Sequence, residues 1–96
     1  MLGNSVREAM NFTNVLLDRV KTRFALTSDY QLAKHLNVSR ARVSNWRNER
    51  NPMDWDIVFE IADMLELDDQ FVVQNLLTEK YKNPRLINAL RVTEAI

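Results

Sequence analysis

Residues 29–48, which read DYQLAKHLNVSRARVSNWRN, decide the fold of this chain. Apolar residues recur in the stretch at the spacing of one helical face, first before Asn37 and then again after it. Asparagine tolerates the left-handed backbone conformation that ends helices, so Asn37 predicts a sharp turn between two helices. The residues predicted to face inward are Leu32, Ala33, Leu36, Val43 and Trp46.

The outward side of the second predicted helix is short, polar and basic. Such a helix fits the major groove of duplex DNA, which is ~12 Å wide. We therefore predict a helix-turn-helix that contacts double-stranded DNA through the second helix and its cap. The residues on this outward side are Ser39, Arg40, Ala41, Arg42, Ser44 and Asn45.

Two of these side chains are suited to reading bases. The planar fork of Arg40 matches guanine O6 and N7, and the amide of Asn45 matches an adenine edge. Ser39 is first of all a helix cap, and a phosphate contact would be additional. Arg42 lies more to the side, where it contacts either a phosphate or a carboxylate of its own chain.

Composition favours an all-α fold. The 96 residues include one glycine and two prolines, too few for the many tight turns of an all-β domain. The chain has no cysteine and one histidine, so it lacks the residues of a thiol nucleophile or a zinc site. We predict a single domain over residues 1–96, with no enzymatic activity, metal or cofactor.

Further apolar periodicities extend the prediction to a compact bundle of five or six helices. The first helix is open to two interpretations. Either Thr13 caps it, or one helix runs from Ser5, where residues 5–8 match a capping box. The starts predicted for the other helices are Ser28 or Thr27, Ser39, Asp54, Asp69 and Asn83.

Charge is segregated along the chain although the net charge is zero. Residues 1–50 hold nine basic and four acidic side chains, residues 51–79 eight acidic and no basic ones, and residues 80–96 four basic and one acidic. Such a chain can offer a basic face to a polyanion, or pair its segments internally. No apolar run approaches ~18 residues and the N-terminus lacks a signal-peptide pattern, so we expect a cytoplasmic protein.

The pattern Leu-Ala-x-x-Leu-Asn-Val-Ser-x-x-x-Val-Ser-x-Trp at residues 32–46 resembles the core motif of the lambda-repressor/Cro-like family, also called the xenobiotic-response-element helix-turn-helix family. The continuation Pro52…Ile61-Ala62-x-x-Leu65 resembles its fourth helix. Residues 28–34 also look like small phage-encoded regulators. The resemblance covers about residues 13–72 and implies a bundle of four or five helices that binds operator DNA, usually as a two-fold dimer.

By position, the resemblance implies that Ser39, Arg40, Ala41, Ser44 and Asn45 read bases. It implies that Tyr30 and Gln31 grip phosphates, and that the loop with Arg47, Asn48 and Arg50 follows the DNA backbone. Internal pairing of the two loop arginines with Asp54 or Asp56 is the alternative.

The sequence departs from the family pattern at three places. Asn37 stands where the family commonly has the glycine of the turn. Glu49 stands where a glycine usually follows the recognition helix, and we expect Asn48 to adopt the left-handed conformation instead. The segment 54–56 places two carboxylates where relatives often place a basic phosphate contact.

These features predict a sequence-specific transcriptional regulator, a repressor from a phage or mobile element that binds a pseudo-palindromic operator. Residues 70–96 are expected to close the core or to form the interface of a homodimer. Two alternatives stay open: a DNA-binding antitoxin, and a protein-interaction adaptor that does not bind DNA. Both would use the acidic or C-terminal helices to bind a protein partner.

Overall fold

The computed structural model describes residues 11–80 together with residues 85 and 89, both of which are helical. Residues 11–80 form five α-helices and no strand, which confirms the predicted all-α bundle. None of these helices is long and apolar enough to cross a membrane. The helices are α1 (Phe12–Arg23), α2 (Asp29–Leu36), α3 (Arg40–Arg47), α4 (Trp55–Leu65) and α5 (Asp69–Lys80).

Two serines are the N-caps of α2 and α3, as predicted. Ser28 Oγ accepts a hydrogen bond from the backbone N–H of Gln31 at 3.1 Å, and Ser39 Oγ accepts one from Arg42 at 3.1 Å. Each hydroxyl satisfies an N–H group that the first turn of a helix leaves without a partner. Between the two helices, Asn37 has φ 60° and ψ 44°, the left-handed conformation that the sequence predicted.

The first helix begins differently from both interpretations of the sequence. Asn11 is its N-cap, and the Asn11 side chain accepts a hydrogen bond from the N–H of Asn14 at 2.8 Å. Thr13 therefore lies inside the first turn and does not cap the helix. The extended backbone of Asn11, with ψ 169°, also excludes one uninterrupted helix from Ser5. The capping box at residues 5–8 and the helix start at residues 83–84 lie outside the described residues.

The apolar core surrounds α1, which packs against each of the other four helices. Burial of these side chains is the main favourable contribution to folding. Among the described residues, no buried side chain is polar or charged. The buried residues are Leu16, Leu17, Val20, Leu32, Ala33, Leu36, Val43, Trp46, Met53, Ile57, Val58, Ile61, Ala62 and Val72.

The turn after α3 corrects one prediction. Asn48 has φ −97°, whereas Glu49 has φ 59° and is the left-handed residue. The Asn48 amide donates to the Ser44 carbonyl at 2.8 Å, which keeps Asn48 near helical geometry. The Glu49 carboxylate accepts a hydrogen bond from the Asn11 side chain at 2.7 Å, and this tertiary contact offsets part of the cost of the left-handed conformation.

Candidate nucleic-acid interface

Helix α3 is anchored by one side and exposed on the other. Val43 is completely buried and Trp46 retains 3% of its surface, so both hold the helix against the core. This division is the one that the sequence pattern predicted. The opposite side presents Arg40, Ala41 and Ser44 as exposed residues and Asn45 as a half-buried one.

A shallow hollow of about 460 Å³ opens on the exposed side of α3. Most of its lining consists of groups that donate hydrogen bonds, namely guanidinium, hydroxyl and amide groups. Such donors suit phosphate oxygens and the acceptor edges of bases. The hollow brings together five residues predicted to contact DNA, Arg40, Ala41, Ser44, Arg47 and Asn48, together with Asp29.

Two cations each lie over the same aromatic ring, where α2 adjoins α3. The guanidinium carbon of Arg40 lies 5.7 Å from the centroid of the Tyr30 ring, and Lys34 Nζ lies 5.4 Å from the same centroid. Tyr30 itself is 50% exposed. Within residues 11–80, neither cation has a carboxylate within ion-pairing distance. Positive charge is therefore concentrated at the N-terminal end of α3.

The two residues predicted to grip phosphates, Tyr30 and Gln31, lie exposed in the first turn of α2. Gln31 Oε1 accepts hydrogen bonds from the N–H and the hydroxyl of Thr27, at 2.8 and 3.2 Å. These bonds use the amide oxygen, so the NH₂ group is the part of Gln31 that can donate to an anion. The N-terminus of a helix also favours negative charge nearby.

Arg47, at the C-terminal end of α3, is held by three side chains of its own chain. Its Nη2 lies 3.0 Å from Asp29 Oδ1 and 2.8 Å from Asp18 Oδ1, and its Nε donates to Asp29 Oδ2 at 3.2 Å. Its Nη1 donates to Asn14 Oδ1 at 2.8 Å, and the Asn14 amide donates back to the Arg47 carbonyl at 3.2 Å. This network ties the end of α3 to α1 and α2.

The network also shifts the pKa values of its members. Burial by itself would raise the pKa of Asp29, but the hydrogen bonds and charge of Arg47, with Lys21 in addition, outweigh it and lower the pKa. Burial by itself would lower the pKa of Arg47, but hydrogen bonds to Asp29 and Asp18 raise it. Both groups are consequently held in their charged forms.

Arg42 pairs with a carboxylate, which is one of the two options that the sequence left open. Its guanidinium contacts Asp54 and also lies over the indole of Trp46, 5.4 Å from the ring centroid. Asp54 stands at the N-cap of α4 as predicted, but its side chain makes no capping hydrogen bond. Because both groups are largely exposed, the ion pair contributes only ~0–1 kcal/mol to stability and a phosphate can compete for Arg42.

The loop after α3 contains an arginine without such a tether. Arg50 is exposed, and within the described part of the chain its side chain forms no ion pair. Its backbone N–H donates to the Asn45 carbonyl at 2.9 Å, which continues the end of α3 into the loop. Of Arg47 and Arg50, the two arginines predicted to follow the DNA backbone, Arg50 is the one that the structure leaves available for a phosphate.

Sequence reasoning missed the partners of Arg47. The partners that the sequence suggested were Asp54 and Asp56, whereas the side chains in contact with Arg47 are Asn14, Asp18 and Asp29. A signal was present, since residues four apart such as 14 and 18 share one side of a helix. Nothing local indicates that this side of α1 faces the end of α3.

The exposed side of α4 is different in character from that of α3. Trp55 and Phe59 are 46% and 38% exposed, and their rings stack with centroids 6.0 Å apart. Trp55 also borders a groove of about 1210 Å³ between the α3–α4 loop and the end of α5. The exposed acidic residues of the same helix are Asp56, Glu60 and Asp63.

This fold and this site define a class of protein. Helices α2 and α3, joined by the left-handed turn at Asn37, form a helix-turn-helix whose second helix exposes polar and basic groups. That arrangement is typical of DNA-binding domains that insert a recognition helix into the major groove.

The comparison with known families is more specific. The model of the bacteriophage CI repressor helix-turn-helix domain matches residues 16–73, which is more than half of the 96 residues. The chain therefore belongs to this family of DNA-binding regulatory domains, and the predicted lambda-repressor-like resemblance is confirmed. The matched segment begins within α1 and ends within α5. No curated protein and no solved structure matched the chain.

Proposed function

We propose that this protein represses transcription by binding a pseudo-palindromic operator as a two-fold dimer. The observation that carries the proposal is the division of α3 into a buried side at Val43 and Trp46 and an exposed, basic side beginning at Arg40. Two such helices related by a two-fold axis lie ~34 Å apart, which is one turn of DNA. Occupation of the operator then blocks access of RNA polymerase. A protein acting in this way works in the cytoplasm, where the DNA of a bacterial host lies.

The side chains of the site have separate roles in this proposal. Arg40 and Asn45 read base edges in the major groove, while exposed residues around them set the register on the phosphates. Arg47 contributes mainly by holding α3 in place, because its three guanidinium nitrogens already have acceptors. The residues assigned to phosphates or to the rim of the groove are Tyr30, Gln31, Ser39, Ala41, Arg42, Ser44, Asn48 and Arg50.

Residues 70–96 supply the dimer interface in this proposal. Phe71 in α5 supports it, because the ring is 47% exposed although it forms a T-shaped contact with the ring of Phe12 at a centroid distance of 5.9 Å. Covering such a half-exposed aromatic ring with an apolar surface of a second chain would stabilise the dimer.

The experiment that tests the function is selection of bound duplexes from a random DNA pool. We expect a symmetric site with half-sites about one helical turn apart, and two chains per duplex by sedimentation of the complex. Placing the selected site across a promoter should then lower transcription in a purified system. Recovery of no preferred sequence would overturn the proposal, and an asymmetric site bound by one chain would overturn the dimer.

A second function is favoured by α4. The exposed Trp55–Phe59 pair, in a helix with no basic residue, suits contact with a protein partner, as in an antitoxin or an adaptor. Selection from the DNA pool separates the adaptor, which would return no site, from a regulator. Trp55→Ala and Phe59→Ala should leave DNA binding unchanged if this face serves only a protein partner.

A further inference from the structure

An aromatic ring lies beneath the arginine at the N-terminal end of α3. Arg40 is the first residue of α3, and its guanidinium lies over an exposed tyrosine ring, with no carboxylate of residues 11–80 within ion-pairing distance. The ring belongs to Tyr30, in the first turn of the neighbouring helix α2. The left-handed turn at Asn37 brings the two helices together so that the ring and the cation meet.

An exposed arginine at this position loses side-chain conformational entropy when it binds DNA. A long exposed side chain loses rotamer freedom when it forms bidentate hydrogen bonds with a base. A ring that holds the guanidinium plane before DNA arrives removes part of that loss, which is the general advantage of preorganisation. A carboxylate would also restrict the side chain, but it would occupy the donors that guanine needs.

We propose that Tyr30 is a specificity-determining positioning residue, whose ring holds the Arg40 guanidinium ready for a base edge. The proposal rests on the proposed function of operator binding. It assigns the ring a role separate from that of the phenol hydroxyl, which is suited to a phosphate. Lys34, on the same ring, is a compact point charge and adds to the attraction of the DNA backbone without reading bases.

Two substitutions separate the ring from the hydroxyl. Tyr30→Leu removes the ring, and we expect the preference for the base pair read by Arg40 to fall about twofold to fivefold. Tyr30→Phe keeps the ring, so this preference should persist even if affinity for all sequences falls through loss of a phosphate contact. Phe59→Leu removes an exposed ring of α4 and serves as the matched control, with no change in base preference expected.

The decisive measurement is a double-mutant cycle on the selected operator and on the same operator altered at that base pair. Tyr30→Leu should add nothing to the loss of preference in Arg40→Ala, because the ring acts through the guanidinium. Two results would overturn the inference: additive losses of preference, or a Tyr30→Leu variant that binds all sequences more weakly with its preference intact.

A measurement without DNA keeps this inference separate from the proposed function. Protons of the Arg40 side chain above an aromatic ring resonate upfield in the NMR spectrum because of the ring current. The shift should be present in the wild type and in Tyr30→Phe and absent in Tyr30→Leu. Its absence from the wild type would show that the Tyr30 ring does not hold the Arg40 side chain and would overturn the inference. An upfield shift in a protein that selects no DNA sequence would instead show that operator binding is the part that fails.

Discussion

The two ends of α3 carry arginines in opposite situations. At the C-terminal end, Arg47 is 19% exposed and is bound by two carboxylates and an amide. At the N-terminal end, Arg40 is exposed and rests on the Tyr30 ring. The same residue type in one short helix therefore holds the helix in place at one end and is available for DNA at the other.

The physical cause of the difference is the number of acceptors within reach. Each hydrogen bond between Arg47 and a carboxylate replaces one to water and fixes the guanidinium in place. The Tyr30 ring attracts the Arg40 cation through its quadrupole. It accepts no hydrogen bond from the N–H donors, which lie in the plane of the guanidinium. Arg40 can therefore still donate to guanine, whereas Arg47 must first leave its partners.

The largest effect on binding is expected at the free end of α3. Arg40→Ala should lower the affinity for the selected operator by ~1–3 kcal/mol and relax the choice of base at one position. The free energy of unfolding should change by less than ~0.5 kcal/mol, as for other exposed residues. Binding isotherms on the operator and on single-base variants measure the first effect, and urea unfolding measures the second. An operator preference equal to that of the wild type would show that Arg40 does not read a base.

The tethered end should respond in the opposite way. Arg47→Met keeps most of the aliphatic stem but removes the ion pairs of Arg47 with Asp18 and Asp29, so that Asp29 keeps only its contact with Lys21 at 3.4 Å. We expect the free energy of unfolding to fall by about 1–2 kcal/mol, less than for a fully buried pair because both carboxylates are partly exposed. Urea unfolding checks this, with Arg50→Met as the control that should leave stability unchanged. Equal unfolding midpoints for Arg47→Met and the wild type would remove the structural role of Arg47.

The pH dependence of stability tests the contact between Arg47 and Asp29. The pKa of Asp29 is lowered in the folded protein, so below about pH 4 the unfolded chain takes up a proton while the folded chain does not. The stability contributed by ionised Asp29 is therefore complete above that pH and is lost as the pH falls through the folded pKa. Asp29→Asn should reduce the dependence of the unfolding free energy on pH as the pH falls below about 5. An identical pH dependence in the two proteins would contradict the assignment.

The smallest effect concerns the salt dependence of DNA binding. Arg50→Gln should lower the slope of log affinity against log salt concentration by about one unit, because one phosphate contact and its released counterion are lost. Arg47→Gln should change the slope less, since the donors of Arg47 are already engaged within the protein. Titrations at several salt concentrations measure both slopes. If Arg47→Gln gives the larger change, the roles proposed for Arg47 and Arg50 are reversed.

Much of the fold could be predicted from residues that are close together in the sequence. The caps at Ser28 and Ser39, the left-handed Asn37 and the buried pair Val43 and Trp46 all depend on residues within one or two turns of each other. Such local patterns are visible in one sequence because helical spacing places these groups together in any context. The same patterns predicted which side of α3 is exposed.

Contacts between distant segments could not be predicted in this way. The sequence favoured Asn48 as the left-handed residue, but a hydrogen bond from Asn11, 38 residues away, accompanies that conformation at Glu49. Asp54 was predicted to cap α4, yet its side chain turns to Arg42. In each case a partner from another element competed with the local preference.

The amino-acid sequence alone determined the all-α class, the helix-turn-helix and the residues exposed on α3, because these depend on periodicity and capping within short segments. Which cations are tethered and which are available for DNA depends on the packing of α1, α2 and α3, because an ion pair or a ring contact forms only between groups that this packing brings together. The sequence predicted that Arg40 and Arg47 both contact DNA, and their surroundings in the folded protein leave Arg40 available and hold Arg47 within the chain.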